Sequence, residues 1–320
     1  MSTVLPPRIR TYGPWLARCE ERLADIVGEG RPIVAEPATE TLIAGGKRLR
    51  PLLVYCCAAP ENGNGAAITS AAAAVELVHM ATLVHDDVLD DADLRRGHPT
   101  VLNRHGRERA VETGDHLFAL AFGELAAAGS PDAVSILAQA SLELSQGEIS
   151  QDSRARDLSL SAEDYLDRVR LKTAALFSAA CRLGGQMGAT TRASDLLGEF
   201  GQLIGVAFQI FDDILDLTGT TDTTGKPRGA DLRDGTVTLP MIRAMRQDPE
   251  LVEAISAAMQ GEGLEQTCDR LAVHPGTSVA RQEAVRLVER AHRIAGSGGL
   301  GGADATALAE IAEGVVDRYA

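Results

Sequence analysis

The chain has 320 residues and a formal net charge of −14 at pH 7, which argues against broad nucleic-acid binding because that requires a basic surface. Apolar residues make up 45% of the sequence and aromatic residues only 3%, a composition that favours helices over strands. We recognise neither an apolar run of about 18 residues nor a secretory signal, so we expect a cytoplasmic protein with no transmembrane segment. Five cysteines without C-x-x-C spacing predict buried thiols.

The sequence predicts one domain over residues 1–320. No Pro- or Ser-rich linker, internal repeat or low-complexity tract divides the chain. The first long helix is predicted over residues 66–94, where neither Pro nor Gly interrupts the apolar pattern, and Gly97 and Pro99 are expected to stop it.

Further helices are predicted along the rest of the chain. Ser161, with Asp164 three residues later, has the pattern of a capping box and opens a helix that continues past Lys172. Another helix is predicted from 194 to 217. The segment 218–240 is rich in Gly, Thr and Asp, and loops of this length in compact domains tend to be functional lids or disordered.

Two aspartate-rich motifs share one spacing. The first, LVHDDVLDDADLRRG, contains Asp86, Asp87 and Asp90, and the second, FQIFDDILDLTG, contains Asp212, Asp213 and Asp216. Carboxylates at i and i+4 lie one turn apart on the same helix face, where they repel unless a cation or water intervenes. Carboxylate oxygens without His or Cys suit Mg²⁺, whose coordination substrate phosphates commonly complete. A single copy is typical of a solvated helix end, but two copies indicate a metal site.

Basic residues lie in compact groups beside these motifs. They are Lys47, Arg48 and Arg50 in GGKRLRP, Arg95 and Arg96 after the first motif, Lys172 with Thr173, and Lys226 in the Gly-rich segment. Arg presents a planar fork to phosphate oxygens and Lys a point charge. Any one of them alone would indicate only a solvated charge. Their position beside the aspartates indicates a diphosphate site.

Together these motifs resemble those of one family, the trans-isoprenyl diphosphate synthases or polyprenyl synthetases. The resemblance is carried by GGKRLRP at 45–51, ELVHMATLVHDDVLDDADLRRG at 76–97, GD at 114–115, GE at 147–148, KTAALF at 172–177, and FQIFDDILDLTG with GKPRGADLRDGTVTLP at 208–240. It implies an all-α isoprenoid synthase helical bundle around a deep central cavity, as a homodimer. The implied substrates are isopentenyl diphosphate and an allylic diphosphate.

The resemblance also implies roles for individual residues. Asp86, Asp90 and Asp212 would bind three Mg²⁺ ions, with Asp87, Asp213 and Asp216 in supporting roles. Isopentenyl diphosphate would be bound by Lys47, Arg50, His79 and Arg96. The allylic diphosphate would be bound by Arg95, Lys172, Thr173, Gln209 and Lys226. The role of Arg48 is left open, and His85 is expected to pack or orient its neighbours. One departure is Thr236, where the family usually has Lys, and we expect it to weaken diphosphate binding modestly.

The implied reaction is head-to-tail condensation without a nucleophilic side chain, and no G-x-S-x-G motif or Cys/His pattern supplies one. Metal and basic residues would stabilise charge on the departing diphosphate. A terpene cyclase is disfavoured because the second motif reads FDDILD rather than N-D-x-x-S-x-x-x-E. A noncatalytic partner subunit of a prenyl synthase usually lacks an acidic motif, and a purely structural bundle would not explain the aligned charges.

Product length is predicted from helix geometry. Thr82, Val78 and Val75 lie about one, two and three turns before Asp86, and none is aromatic. In the family, short-chain enzymes often place Phe or Tyr just before the first motif, where this chain has Ala81 and Thr82, and the motif also lacks the two-residue insertion of many short-chain members. We expect a product of more than about twenty carbons, about six to ten isoprene units. The alternative is a farnesyl or geranylgeranyl diphosphate synthase whose channel is blocked deeper, for instance by Phe118 or Phe122.

Overall fold

The computed structural model describes residues 6–58, 64–95, 97–188, 191–219 and 228–317. Over these residues the chain is helical apart from one short hairpin, which confirms the predicted all-α class. The helices are α1 (Pro7–Arg10), α2 (Gly13–Gly28), α3 (Pro32–Ile43), α4 (Leu49–Ala58), α5 (Gly65–Leu89), α6 (Val101–His105), α7 (Arg107–Ala127), α8 (Pro131–Ser153), α9 (Ala162–Val169), α10 (Ala175–Gly188), α11 (Thr191–Thr218), α12 (Ala230–Asp234), α13 (Leu239–Gln247), α14 (Leu251–Ala258), α15 (Leu264–Val273), α16 (Pro275–Ala295) and α17 (Ala305–Asp317). Strands β1 (Leu94–Arg95) and β2 (His98–Pro99) pair antiparallel.

The described residues pack in two compact units. Unit 1 comprises Met1–Ser141, Leu176–Gly201 and Ile294–Ile311, and unit 2 comprises Leu142–Ala175, Gln202–Arg293 and Ala312–Ala320. In unit 1, α5 packs against α2, α4 and α7, and in unit 2, α13 packs against α9, α14 and α15. All five cysteines are buried free thiols, as predicted. A single domain over residues 1–320 stays a prediction.

Helix α5 ends at Leu89, five residues earlier than predicted. Asp90 caps it, and Asp91 adopts the left-handed backbone region (φ +50°), which Asp tolerates better than most residues because its short polar side chain bonds locally. The N–H of Ala92 then donates to the C=O of Asp87 (2.9 Å), the bond that closes a Schellman motif. The first acidic motif therefore contains its own helix stop, and Gly97 and Pro99 lie beyond it in the hairpin.

Among the described residues, α5 is the one helix long and apolar enough to cross a membrane, with a mean hydropathy of 1.6 over its most apolar window. No uninterrupted apolar run of this length occurs in α5, because polar residues such as Glu76 lie within it. The mean hydropathy is nevertheless high, because the apolar residues around them outweigh these few polar ones. About two thirds of that window (67%) is buried inside the protein. Core packing accounts for the apolar character of α5, so no membrane span is indicated, and a cytoplasmic location stays a prediction.

The other predicted helices form close to their expected bounds. At the start of α9, the Ser161 hydroxyl accepts the N–H of Asp164, and Asp164 accepts the N–H of Ser161 (both 3.1 Å), which confirms the capping box. A π-helical turn, Arg170–Ala174, joins α9 to α10. The segment predicted as a loop holds the short helix α12, and residues 220–227 within it lie outside the described part.

Candidate active site

In unit 1 the first acidic motif occupies the last turn of α5. Asp86 is half-buried and Asp90 is exposed, and the N–H of Asp90 donates to the C=O of Asp86 (2.8 Å). Asp87 is only 5% exposed. It accepts a bond from Nε of Arg95 (2.7 Å), which the hairpin after α5 brings back to the helix end. The structure thus pairs Arg95 with Asp87, while Arg96 lies outside the described residues.

Arg48, whose role the sequence left open, is a buried structural residue. Its backbone has φ +48°, and its guanidinium donates to Glu20 (2.5 Å) and to Glu76 of α5 (2.8 Å). The two carboxylates compensate the charge of the buried guanidinium. Its planar set of N–H donors can bond both of them at once. Arg48 therefore ties the segment before α4 to helices α2 and α5.

The described residues that the sequence analysis assigned to isopentenyl diphosphate all belong to unit 1. Lys47 is exposed in the turn before α4, and Arg50 lies within α4 with its guanidinium carbon 4.5 Å above the ring of Phe177. Such stacking holds an arginine in place while leaving its edge available for hydrogen bonds. His79 is half-buried on α5, two turns before Asp86. Each of the three is placed in unit 1, and their substrate role stays a prediction.

His85 packs against helix α7, in agreement with its predicted packing role. Its Nε2 lies 3.2 Å from the C=O of Val111 and 3.5 Å from a carboxylate oxygen of Asp115. A Cβ atom at Gly114 would overlap the imidazole ring. The glycine of the GD motif therefore leaves room for the imidazole ring of His85 beside α7.

In unit 2 the second acidic motif is linked to the KT motif by a chain of hydrogen bonds. Asp213, 4% exposed, accepts the phenol of Tyr165 on Oδ2 (2.5 Å) and the side-chain amide of Gln209 on Oδ1 (2.8 Å). The Oε1 atom of Gln209 accepts the hydroxyl of Thr173 (2.9 Å). Burial raises the pKa of Asp213 to about 7, although these donors oppose the increase.

The other two aspartates of this motif have different surroundings. Asp212 is half-buried on α11. Asp216 accepts the backbone N–H groups of Ala230 (3.0 Å) and Asp231 (3.2 Å), and its own C=O accepts the N–H of Gly229 (3.0 Å). Carboxylates are favourable at helix N-termini because the first N–H groups lack partners within the helix. Asp216 thus fixes the start of α12.

Lys172 lies in the π-helical turn and pairs with Glu148 of α8. Its Nζ is 2.8 Å and 2.7 Å from the two carboxylate oxygens of Glu148. Gly147 allows this approach, because a Cβ there would lie 2.5 Å from the backbone nitrogen of Lys172. Single π turns within α-helices occur frequently at functional sites. Lys226, the other lysine assigned to the allylic diphosphate, lies outside the described residues.

The donor chemistry fits Mg²⁺ bound jointly by protein and substrate. Among the described residues, no group of three or more His, Cys, Asp or Glu side chains is placed to hold a metal ion by itself. Mg²⁺ usually binds through one or two carboxylates and completes its shell with water and phosphate oxygens. Each motif offers half-buried or exposed carboxylates of this kind. Each motif taken by itself therefore suits Mg²⁺ whose coordination shell is completed by water and phosphate oxygens.

Two residues of this site were missed by the sequence analysis. Tyr165 contacts Asp213, and Glu148 contacts Lys172, yet GE was noted only as a family motif. Spacing offered a signal for Tyr165: it precedes Lys172 by seven residues, which places both on one face of a regular helix. No comparable local signal identifies Glu148, because its partner is 24 residues away.

The chain was compared with known proteins. The family model described as polyprenyl synthetase matches residues 31–271. The heptaprenyl diphosphate synthase component 2 of Geobacillus stearothermophilus is 41% identical, over 84% of this chain and 80% of that protein. The nonaprenyl diphosphate synthase of Mycobacterium tuberculosis is 37% identical, over 77% and 74%. A polyprenyl synthase from Caulobacter crescentus, solved with calcium and isoprenyl diphosphate, superposes with a TM-score of 0.90 at 34% identity, over 98% of this chain and 97% of that one.

Proposed function

Because the chain belongs to the polyprenyl synthetase family, we propose that it is a trans-polyprenyl diphosphate synthase. It condenses isopentenyl diphosphate head to tail onto an allylic diphosphate and makes a product longer than about twenty carbons. The observation that carries this proposal is the second acidic motif, which is complete and whose Asp213 is linked through Gln209 to Thr173. A noncatalytic subunit would not need this arrangement.

The aspartates hold the metal ions in this proposal. Asp86, Asp90 and Asp212 bind Mg²⁺, three ions per active site, together with oxygens of the allylic diphosphate. When bound, Mg²⁺ supplies Lewis-acid stabilisation of the negative charge on the departing diphosphate. The buried partners Asp87 and Asp213, and Asp216 at the start of α12, keep the motifs in place. The solved relative with calcium and isoprenyl diphosphate supports a divalent ion beside a prenyl diphosphate in this family.

The basic residues divide between two substrates. Lys47, Arg50, His79 and Arg96 bind isopentenyl diphosphate, and Arg95, Lys172, Thr173, Gln209 and Lys226 bind the allylic diphosphate. The pair of Lys172 with Glu148 supports this role, since a carboxylate partner holds the ammonium group in position before substrate arrives. The double bond of isopentenyl diphosphate attacks the allylic carbon as the diphosphate of the allylic substrate departs. Transfer of a proton to the released diphosphate then restores an allylic product.

A long product is supported by small residues along α5. Ala81, Val78 and Val75 are fully buried, and Thr82 is half-buried. The names of the heptaprenyl and nonaprenyl relatives support the same length class. The aromatic residues that could shorten the channel, Phe118 and Phe122, lie on α7 and are half-buried.

The first test is to incubate the chain with Mg²⁺, farnesyl diphosphate and isopentenyl diphosphate and to separate the dephosphorylated products by chain length. We expect about six to ten isoprene units in the wild type and shorter products from Ala81→Phe, because an aromatic ring there fills the channel within about two turns of Asp86. Ala119→Phe, at an exposed position of α7, is the control and is expected to retain the wild-type length. A wild-type product of fifteen or twenty carbons, or unchanged products from Ala81→Phe, would contradict the length proposal.

We propose a homodimer as the active form. The alternative, a requirement for a second subunit, is supported by the name of the heptaprenyl relative, which is a component 2. Light scattering of the purified chain, combined with the same assay, separates the two. A dimer of this chain that is active alone supports the proposal, and a chain that is inactive until another subunit is added supports the alternative.

A further inference from the structure

We propose that Tyr165 is a positioning residue for the allylic diphosphate site. It acts through Asp213 and Gln209 to hold Thr173 in place, and it touches no substrate itself. The inference rests on the proposed function, because that function assigns Thr173 and Gln209 to the allylic substrate. It adds to that assignment a residue outside every motif of the sequence analysis.

Asp213 is buried and receives two side-chain hydrogen bonds. Both of its carboxylate oxygens are occupied, Oδ2 by the phenol of Tyr165 and Oδ1 by the amide of Gln209. Tyr165 is itself completely buried. A buried carboxylate without donors is strongly unfavourable, so its hydrogen bonds fix the position of the group. Tyr165 and Gln209 donate to different oxygens, so the two bonds together fix the orientation of the carboxylate.

Gln209 is oriented by this carboxylate. Its NH₂ group must face Asp213, because its carbonyl oxygen would repel the carboxylate. The carbonyl oxygen therefore points away and accepts the hydroxyl of Thr173. A hydrogen-bond network in which every donor and acceptor has a partner adopts one arrangement rather than several. The rotamer of Thr173, next to Lys172, thus depends on a contact made at Tyr165.

Tyr165 is itself fixed by its surroundings. Arg168, one turn further along α9, places its guanidinium carbon 5.4 Å from the centre of the Tyr165 ring. The same guanidinium donates to the C=O of Val237 (2.7 Å), in the segment before α13. A site residue is held accurately when its supporting residues are themselves fixed by packing and hydrogen bonds. Tyr165 meets this condition, since its ring is buried and its hydroxyl is bonded.

The test is Tyr165→Phe, which keeps the buried ring and removes only the hydroxyl. We expect the KM for farnesyl diphosphate to rise about tenfold, the lower end of the loss typical for supporting residues of this kind. The KM for isopentenyl diphosphate should stay at the wild-type value. Tyr55→Phe is the matched control, because Tyr55 is equally buried and its hydroxyl bonds Thr69 (3.1 Å) in unit 1. It should change neither KM.

A second measurement tests the coupling directly. In the double variant of Tyr165→Phe with Thr173→Val, the KM for farnesyl diphosphate should rise by a smaller factor than the product of the two single-variant factors. The reason is that both changes break the same network. The inference would be overturned if the two single-variant factors simply multiplied in the double variant, or if Tyr165→Phe raised the KM values of both substrates alike. If Tyr165→Phe does not fold, Asp213→Leu replaces it, since it removes both acceptor oxygens of the network, and the same allylic shift is expected.

The failure of the proposed function gives a different result. A wild type without condensation activity contradicts the function, whatever the variants do. In that case the role of Tyr165 is tested by measuring the affinity for farnesyl diphosphate by calorimetry in the presence of Mg²⁺. Weaker binding to Tyr165→Phe than to the wild type and Tyr55→Phe supports the inference, and equal or undetectable binding to all three overturns it.

Discussion

Asp87 in unit 1 and Asp213 in unit 2 hold the same position in the two aspartate-rich motifs, and both are almost completely buried. Asp87 is compensated by a cation, Arg95, whereas Asp213 receives only the neutral donors Tyr165 and Gln209. Neutral donors satisfy hydrogen bonds without cancelling the charge, so burial still raises the pKa of Asp213. One sequence pattern is thus stabilised in two physically different ways.

The first residues of the two motifs are more alike. Asp86 and Asp212 are both half-buried, so each leaves part of its carboxylate accessible to solvent. The third residues differ again: Asp90 ends α5 and is exposed, whereas Asp216 holds the start of α12. Shared spacing therefore predicts a shared environment best at the first position, where both aspartates are half-buried on their helices.

The largest expected effect is on turnover at the shared first position. Asp86→Ala and Asp212→Ala should each lower kcat by at least about 10²–10³-fold, because each removes a proposed ligand of the Mg²⁺ that would stabilise the departing diphosphate. Incorporation of labelled isopentenyl diphosphate at saturating Mg²⁺ measures this loss. Asp195→Ala, an exposed aspartate at the other end of α11 that pairs with Arg182, is the control. Near-normal turnover of either variant would contradict the metal assignment.

The second prediction concerns stability at the shared middle position. Asp87→Asn should lower the free energy of unfolding by about 1.5–3 kcal/mol, because it removes a charge-assisted bond and leaves the mostly buried Arg95 without its counter-ion. Asp213→Asn should cost less, since it strands no cation. Urea denaturation with EDTA and without substrate measures both. Asp91→Asn, which keeps the left-handed backbone next to the motif, serves as control, and equal losses at Asp87 and Asp213 would refute the distinction.

A third prediction separates the lysines of the two units. Lys47→Ala should raise the KM for isopentenyl diphosphate about tenfold and Lys172→Ala that for the allylic diphosphate, because each removes one charge from one site. Initial rates with each substrate varied in turn give the values. Arg246→Ala, an exposed cation at the end of α13, controls for the loss of charge alone. Equal effects of both lysine variants on both substrates would mean that the division of binding roles is wrong.

The last prediction is a pH dependence that only the second motif should produce. The pKa of Asp213, about 7 in the folded protein, lies above its ordinary value of 3.8, so the folded state retains a proton that the unfolded state has lost. The free energy of unfolding should therefore fall as pH rises from about 4 to about 7, by at most about 1.4 kcal/mol per unit. Asp213→Asn should remove this slope, measured by denaturation in EDTA. A slope that persists in Asp213→Asn must arise from other groups.

Much of the fold could be predicted from local sequence. The capping box at Ser161 and the extent of α11 followed from short-range preferences, and the structure agrees with them within a few residues. The end of α5 was predicted too late because Gly and Pro were taken as the only stops. A left-handed aspartate at position 91 ended the helix first, and no Gly or Pro in the sequence marks that point.

The sequence by itself determined the residue types of the candidate site: two D-D-x-x-D motifs, their neighbouring cations and the KT pair, whose order along the chain identifies the family. Only the tertiary structure decided which partner each of these groups contacts. Arg95 meets Asp87 through a hairpin, Lys172 meets Glu148 across two helices, and Tyr165 meets Asp213 across 48 residues of sequence. Spacing within a helix fixes which side chains share a face, but a buried charge is stabilised by whichever partner packing brings within hydrogen-bond distance.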